Sequence, residues 1–149
     1  MEESNLFSLD GAIVTDCVIY NIYDGDSFRV YAQFPMLIRP CGFKCRLRGI
    51  DTPELRTKDV AEKKLALLAK NYVINAVRDI GVNEVRCHMF GKYGRLIVDV
   101  TLKNGQDLAK SLIDVKLGVA YDGTSSRKRV DGFWENMLQQ HTVDGDKLY

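Results

Sequence analysis

Histidine occurs only twice and tryptophan once among the 149 residues, and no Cys-x2-Cys pair is present. A tetrahedral zinc site, which draws on clustered thiolates and imidazoles, is therefore not expected. Long apolar runs are missing as well: nothing approaches the roughly 20 residues of a membrane span. Met1-Glu2-Glu3 is acidic where a secretory leader would carry base ahead of an apolar stretch. A soluble, intracellular protein with no signal peptide and no membrane partner is expected. Charge of one sign is also lacking, since 21 Lys and Arg against 20 Asp and Glu leave a net charge of +1. Affinity for a polyanion must then come from local patches rather than from bulk charge.

Three prolines, twelve glycines and the absence of any repeat or low-complexity stretch exclude a disordered chain or a solenoid. The length suits one core and is too short for two substantial ones. A single domain over residues 1–149 is expected, with 1–8 and 142–149 as frayed termini. Cys17, Cys41, Cys45 and Cys87 could pair in three ways. A domain of this size needs no staple, however, and no Asn-x-Ser/Thr sequon accompanies them, so free, largely buried thiols are expected.

Ala12 to Tyr23 and Ser27 to Phe34 are rich in Val, Ile, Tyr and Phe and flank an Asp-Gly-Asp break, which predicts a hairpin. Pro35 to Gly42 reads as a loop. Phe43, Cys45 and Leu47 then alternate with Lys44, Arg46 and Arg48, predicting a third strand with one basic face. From Asp59 to Ile80, apolar residues recur at three and four positions, with Asp59 and Glu62 at capping-box spacing and Gly81 as the stop. Glu84 to Phe90 and Leu96 to Leu102 predict two more strands around Gly91-Lys92-Tyr93-Gly94-Arg95. Asp107 to Leu117 and Val130 to Gln140 predict further helices. Strands and helices do not alternate as a parallel fold requires. The expected class is mainly β with helices (α+β): a five-stranded OB-type barrel, a long helix after its third strand, and two C-terminal helices.

Asp24-Gly25-Asp26 alone is weak, because Asp144-Gly145-Asp146 repeats it near the C-terminus. Company strengthens it: Arg46 and Arg48 lie on one strand, and Gly49-Ile50-Asp51-Thr52-Pro53-Glu54 follows where that strand ends. A fold that gathers Asp26, Asp51 and Glu54 at one rim without lysine partners needs a cation, and oxygen ligands select a hard one, Ca²⁺ or Mg²⁺. The Gly-x-x-Gly loop at 91–94 could suggest a KH domain, but a KH loop joins helices and this one joins strands.

Taken jointly, these residues resemble the thermonuclease, or staphylococcal nuclease-like, family. Its Asp-Gly-Asp turn, Arg-x4-Asp-Thr-Pro-Glu block and Lys-Tyr-Gly-Arg loop occur here in order as Asp24-Gly25-Asp26, Arg46 to Glu54 and Lys92 to Arg95. The resemblance runs from about Val14 to Tyr121, and the family's fold is the OB barrel. It implies a calcium-dependent phosphodiesterase that cuts DNA or RNA. It further implies that Asp26, Asp51 and the Thr52 carbonyl ligate calcium, with magnesium or another hard ion as the lesser candidate. Glu54 would stand by the attacking water as general base, and Arg46 and Arg95 would grip the scissile phosphate. Lys92, Tyr93 and Tyr121 would contact substrate. Stacking on the two tyrosines predicts a preference for single strands or frayed duplex. Ser27 stands where the family often has Thr.

This chemistry is coherent, because a phosphodiester repels hydroxide and an arginine fork stays charged while bridging two phosphate oxygens. Arg56, Lys58, Lys63, Lys64 and Lys70, and separately Arg127-Lys128-Arg129, offer local positive charge for binding. One rival is an OB module that holds single strands without cutting them, which the retention of Asp26, Arg46, Asp51, Glu54 and Arg95 argues against. Another is an adaptor using Trp134, against which stands the plainer packing of a third helix on the barrel. No obligate protein partner is required, and a monomer is expected.

Overall fold

Alternation of apolar and polar residues lays down most of the sheet in the computed structural model, which describes residues 8–123 and 129–143. The strands are β1 (Ile13–Val14), β2 (Cys17–Asp24), β3 (Ser27–Ala32), β4 (Cys41–Leu47), β5 (Ile50–Asp51), β6 (Val82–Phe90), β7 (Leu96–Leu102) and β8 (Val119–Ala120). In β7 the pattern is strict, with Leu96, Val98, Val100 and Leu102 buried and the residues between them half-buried. Such a period of two aims one face into a core and the other outward.

Six strands form one sheet in the order β1-β6-β7-β4-β3-β2, antiparallel except for β4 beside β7. The expected closed barrel of five strands is corrected here, because the sheet's hydrogen-bonded ladder is open, with β1 and β2 at its edges. The reason lies at Thr15 and Asp16. The strand expected over Ala12 to Tyr23 breaks there, so that Ile13 and Val14 pair with β6 while Cys17 onward pairs with β3. Two residues of covalent chain thus stand where a barrel would carry a ladder. β5 and β8 form a separate ribbon, with Ile50 opposite Ala120 and Asp51 opposite Val119. The architecture is mixed α+β.

Helix α1 (Val60–Asn75) starts where predicted: Asp59 caps it by accepting the Glu62 N–H at 3.1 Å. Such a cap is worth about 1 kcal/mol. The reciprocal half of the capping box does not form. Instead Glu62 accepts the Glu54 N–H at 3.0 Å and the Thr57 hydroxyl at 2.8 Å, tying the helix start to the block before it. Leu65, Ala69 and Val73 are buried in the core shared with the sheet, and Ala66 is buried as well. The last turn, Ala76–Ile80, widens to π geometry and ends at Gly81, φ +92°, whose N–H reaches the Ala76 carbonyl. That widening turns Ile80 outward, off the apolar face predicted for it.

Helix α2 (Leu108–Asp114) is capped by Asp107, and α3 (Phe133–Val143) buries Trp134. α3 packs chiefly on α1, and its Trp134 joins the buried core that the sheet residues form. Of the expected frayed ends, residues 1–7 and 144–149, with the second Asp-Gly-Asp, lie outside the described residues, whereas α3 continues through Val143. All four cysteines are free. Burial pushes the Cys45 thiol up to about 12 and the Cys87 thiol up to about 11. No helix among the described residues is long and apolar enough to cross a membrane.

Candidate active site

The β2–β3 turn positions the first acids. Asn21 at φ +47° marks an irregularity that shifts the register between Tyr20 and Asp24, after which Asp24 faces Ser27. At Gly25 the turn lies so close to α1 and the Thr52 side chain that a Cβ would sit 3.1 Å from both Ala69 Cβ and Thr52 Cγ2. Only glycine lets the turn seat there without displacing one of them. Asp24 and Asp26 are consequently both buried.

Asp26 is the hub. Its Oδ2 accepts Arg46 Nη1 at 2.8 Å and the Thr52 N–H at 3.3 Å, and its Oδ1 accepts the Ser27 hydroxyl at 3.0 Å. Arg46 also donates from Nη2 to the Ile50 carbonyl at 3.1 Å and lies 5.7 Å from the Tyr121 ring centroid. Arg95 Nη1 donates to Ser27 Oγ at 3.2 Å. Two guanidinium groups, Arg46 from β4 and Arg95 from the loop between β6 and β7, therefore converge on one dipeptide, Asp26-Ser27. Arg48 leaves this group and forms a fork with Asp99 at 3.0 and 3.1 Å.

Asp51 is buried as well, and its Oδ2 pairs with Arg129 Nη2 at 3.0 Å. Among the described residues the partners of these two acids are arginines and not lysines: Asp26 holds Arg46 and Asp51 holds Arg129. No group of three or more His, Cys, Asp or Glu side chains among the described residues forms a ready metal cage. Desolvation still leaves unbalanced negative charge nearby. Burial, reinforced by the charges of Asp26 and Glu54, pushes the Asp24 carboxyl up to about 6 despite the Leu55 N–H bond and Lys70. The buried Thr52 hydroxyl, next in sequence to Asp51 and on the residue that bonds Asp26, has no hydrogen-bond partner among the described residues. Burying a hydroxyl unpaired costs about 1–3 kcal/mol, which a bound water or ion would relieve.

Three cavities carry the remaining residues. One of about 720 Å³ is lined by Asp24, Asp26, Glu54 and Arg95, among others. A second of about 800 Å³ contains Arg46, Lys92, Tyr93, Arg95 and Tyr121. The third, about 330 Å³, contains Asp51, Thr52, Glu54 and Arg129. Arg95 is common to the first two, and Glu54 to the first and third. Lys92 and Tyr93 occupy the β6–β7 hairpin tip closed by the Gly91 N–H on the Arg95 carbonyl, with Tyr93 exposed and Lys92 Nζ 5.3 Å from its ring centroid. Every residue to which the family resemblance gives a catalytic, metal or substrate role lines one of these three cavities, whereas Lys58, Lys63, Lys64 and Lys70 line none of them.

A sequence model of the staphylococcal nuclease homologue family matches residues 44–140, more than half of the chain. The chain belongs to this family. No individual curated protein matches it significantly. The staphylococcal nuclease homologue match spans Arg46, Asp51, Thr52, Glu54, Lys92, Tyr93, Arg95 and Tyr121, and membership points to a nuclease-type domain with nucleic acid as its substrate class. Asp26 precedes the matched residues; its hydrogen bonds to Arg46 and Thr52 join it to the family's block. Sequence reasoning gave no site role to three residues. Asp24 was signalled by the turn motif itself. Glu62 was assigned only to a cap. Arg129 was read only as part of a basic group, whose other members, Arg127 and Lys128, lie outside the described residues.

Proposed function

We propose that this staphylococcal nuclease homologue is a calcium-dependent phosphodiesterase that hydrolyses DNA or RNA, acting as a single-domain monomer. The carrying observation is the convergence of Arg46 and Arg95 on Asp26-Ser27, beside cavities that share Glu54. The donor set fits a hard divalent ion: Asp26, Asp51 and the Thr52 carbonyl would hold it, and the unpaired Thr52 hydroxyl supports a polar occupant. Bound there, the ion would neutralise the phosphate and acidify a water.

The chain's own groups supply the rest. Glu54, exposed at the junction of two cavities, accepts the proton of the attacking water as the new phosphorus–oxygen bond forms. Arg46 and Arg95 donate to the phosphate oxygens as charge builds on them and the ester oxygen departs, a role that suits their planar forks. Lys92, Tyr93 and Tyr121 hold the flanking nucleotide, with the exposed Tyr93 ring available for stacking. Arg46 is already held from Asp26 and Ile50, so little ordering remains for the reaction itself.

The test is incubation of single-stranded DNA and RNA with the protein and Ca²⁺, then with chelator, then with Glu54→Gln. Cleavage that depends on calcium and is lost in both controls is expected. Intact substrate with retained binding would replace the enzyme by a binding module.

A further inference from the structure

A positive feature without acidic partners among the described residues lies outside the residues assigned above, on the outer face of β3 and β4. Register places Ser27 opposite Arg46, Arg29 opposite Lys44, and Tyr31 opposite Gly42, three successive facing pairs. The first pair belongs to the candidate active site. In the second, two cations stand directly across the strands, both exposed, and neither has an acidic partner among the described residues. Like charges in that arrangement destabilise a sheet. An anion lying between them would remove the penalty.

Two further observations indicate which anion. The cavity of about 720 Å³ that contains Asp26, Glu54 and Arg95 continues without interruption to Arg29, Lys44 and Arg56. Three acids, Asp24, Asp26 and Glu54, also line it, but none forms an ion pair with Arg29 or Lys44 among the described residues, and Asp26 is paired with Arg46. An aromatic floor adjoins it. Tyr20 of β2 faces Arg29 in register and reaches across β3, so that its hydroxyl occupies the space a side chain at Gly42 would need. Tyr31, 47% exposed, stands beside it on β3. Same-face residues along a strand are about 6.8 Å apart, a step comparable to one extended nucleotide. Lys44 stands one such step from Arg46 along β4, with Arg29 opposite it, and cations so placed beside tyrosine rings suit a phosphate backbone with stackable bases, whereas an acidic peptide would leave the rings unused.

We infer that Arg29 and Lys44, with Tyr20 and Tyr31, form a strand-binding track that carries single-stranded nucleic acid away from the active site along β3 and β4. The inference deepens the nuclease reading and rests on it for the track's origin at Arg46 and Arg95. It makes oligonucleotides long enough to reach the track the preferred ligands.

Fluorescence anisotropy in EDTA, with labelled oligothymidylates of three and twelve nucleotides over a range of KCl concentrations, tests it. For Arg29→Ala/Lys44→Ala, the log–log salt slope of twelve-mer binding should shrink by about 1.4 units, two contacts at about 0.7 each. Trimer affinity should change less than twofold, and Arg29→Lys/Lys44→Arg should keep the wild-type slope. A twelve-mer slope unchanged by the alanines, equal losses on both lengths, or no twelve-mer binding by the folded wild type would overturn the track. If the wild type still cuts with Ca²⁺ in those cases, only the track falls. A twelve-mer held through Arg29 and Lys44 but never cut would remove the nuclease reading and leave the track standing.

Discussion

Arg129 Nη2 stands 3.0 Å from Asp51 Oδ2, joining residues 78 positions apart across the smallest of the three cavities. Asp51 is buried, and the Arg129 guanidinium also lies 5.4 Å from the Phe133 ring centroid. The carboxylate that calcium would need is therefore held by a tethered cation. Removing that cation strands a buried charge, at a cost of about 2 kcal/mol once its partial exposure is allowed for. Arg129→Ala should lower the melting temperature in EDTA by roughly 4–8 °C. The upward shift on adding Ca²⁺ should be larger than in the wild type, because the ion no longer displaces a guanidinium. Scanning calorimetry with and without calcium reads both effects, and equal shifts in the two proteins would remove Asp51 from ion binding.

Arg46 makes two directed bonds, to Asp26 at 2.8 Å and to the Ile50 carbonyl at 3.1 Å, and leans on Tyr121. Lysine offers the charge without the fork. Arg46→Lys should reduce kcat by about 10²- to 10³-fold, close to the effect of deleting the side chain. Turnover at the wild-type rate would show that a planar donor is unnecessary.

Asp99, away from the site, ties Arg48 at 3.0 and 3.1 Å to His88 Nε2 at 2.7 Å. Burial works to raise its carboxyl, but the hydrogen bonds to Arg48 and His88 outweigh burial and hold it below the usual carboxylate range. A depressed acid stabilises the fold above its unfolded pKa, about 3.9, and loses that contribution as pH falls through the lower native value. Asp99→Asn should therefore be less stable than wild type at pH 7, and the two should converge in strong acid. Urea midpoints from pH 2 to 7 check this; a gap that ignores pH would mean that the charge is irrelevant.

Local signals carried far into this fold where they acted within a few residues. The start of α1 was legible because Asp59 bonds the N–H three positions on, and its end because Gly81 alone accommodates φ +92°. The break at Thr15-Asp16 was not, since β-branched and aromatic residues continue on both sides and only pairing with β6 and β3 separates the halves. Glu62 looked like a capping residue and acts instead on Glu54, because a long side chain takes whichever N–H the fold brings near.

The sequence by itself determined the family, the order of the principal strands and helices, and an inventory of acids, arginines and tyrosines in three separated motifs. Periodicity and turn chemistry are short-range, so they survive in the bare chain. Only the tertiary structure decided that Asp26 would take Arg46, that Asp51 would take Arg129, that the sheet would stay open at β1 and β2, and that Arg29 and Lys44 would face each other. Those outcomes depend on strand register and on which side chains are desolvated together, and neither quantity exists until distant segments have packed.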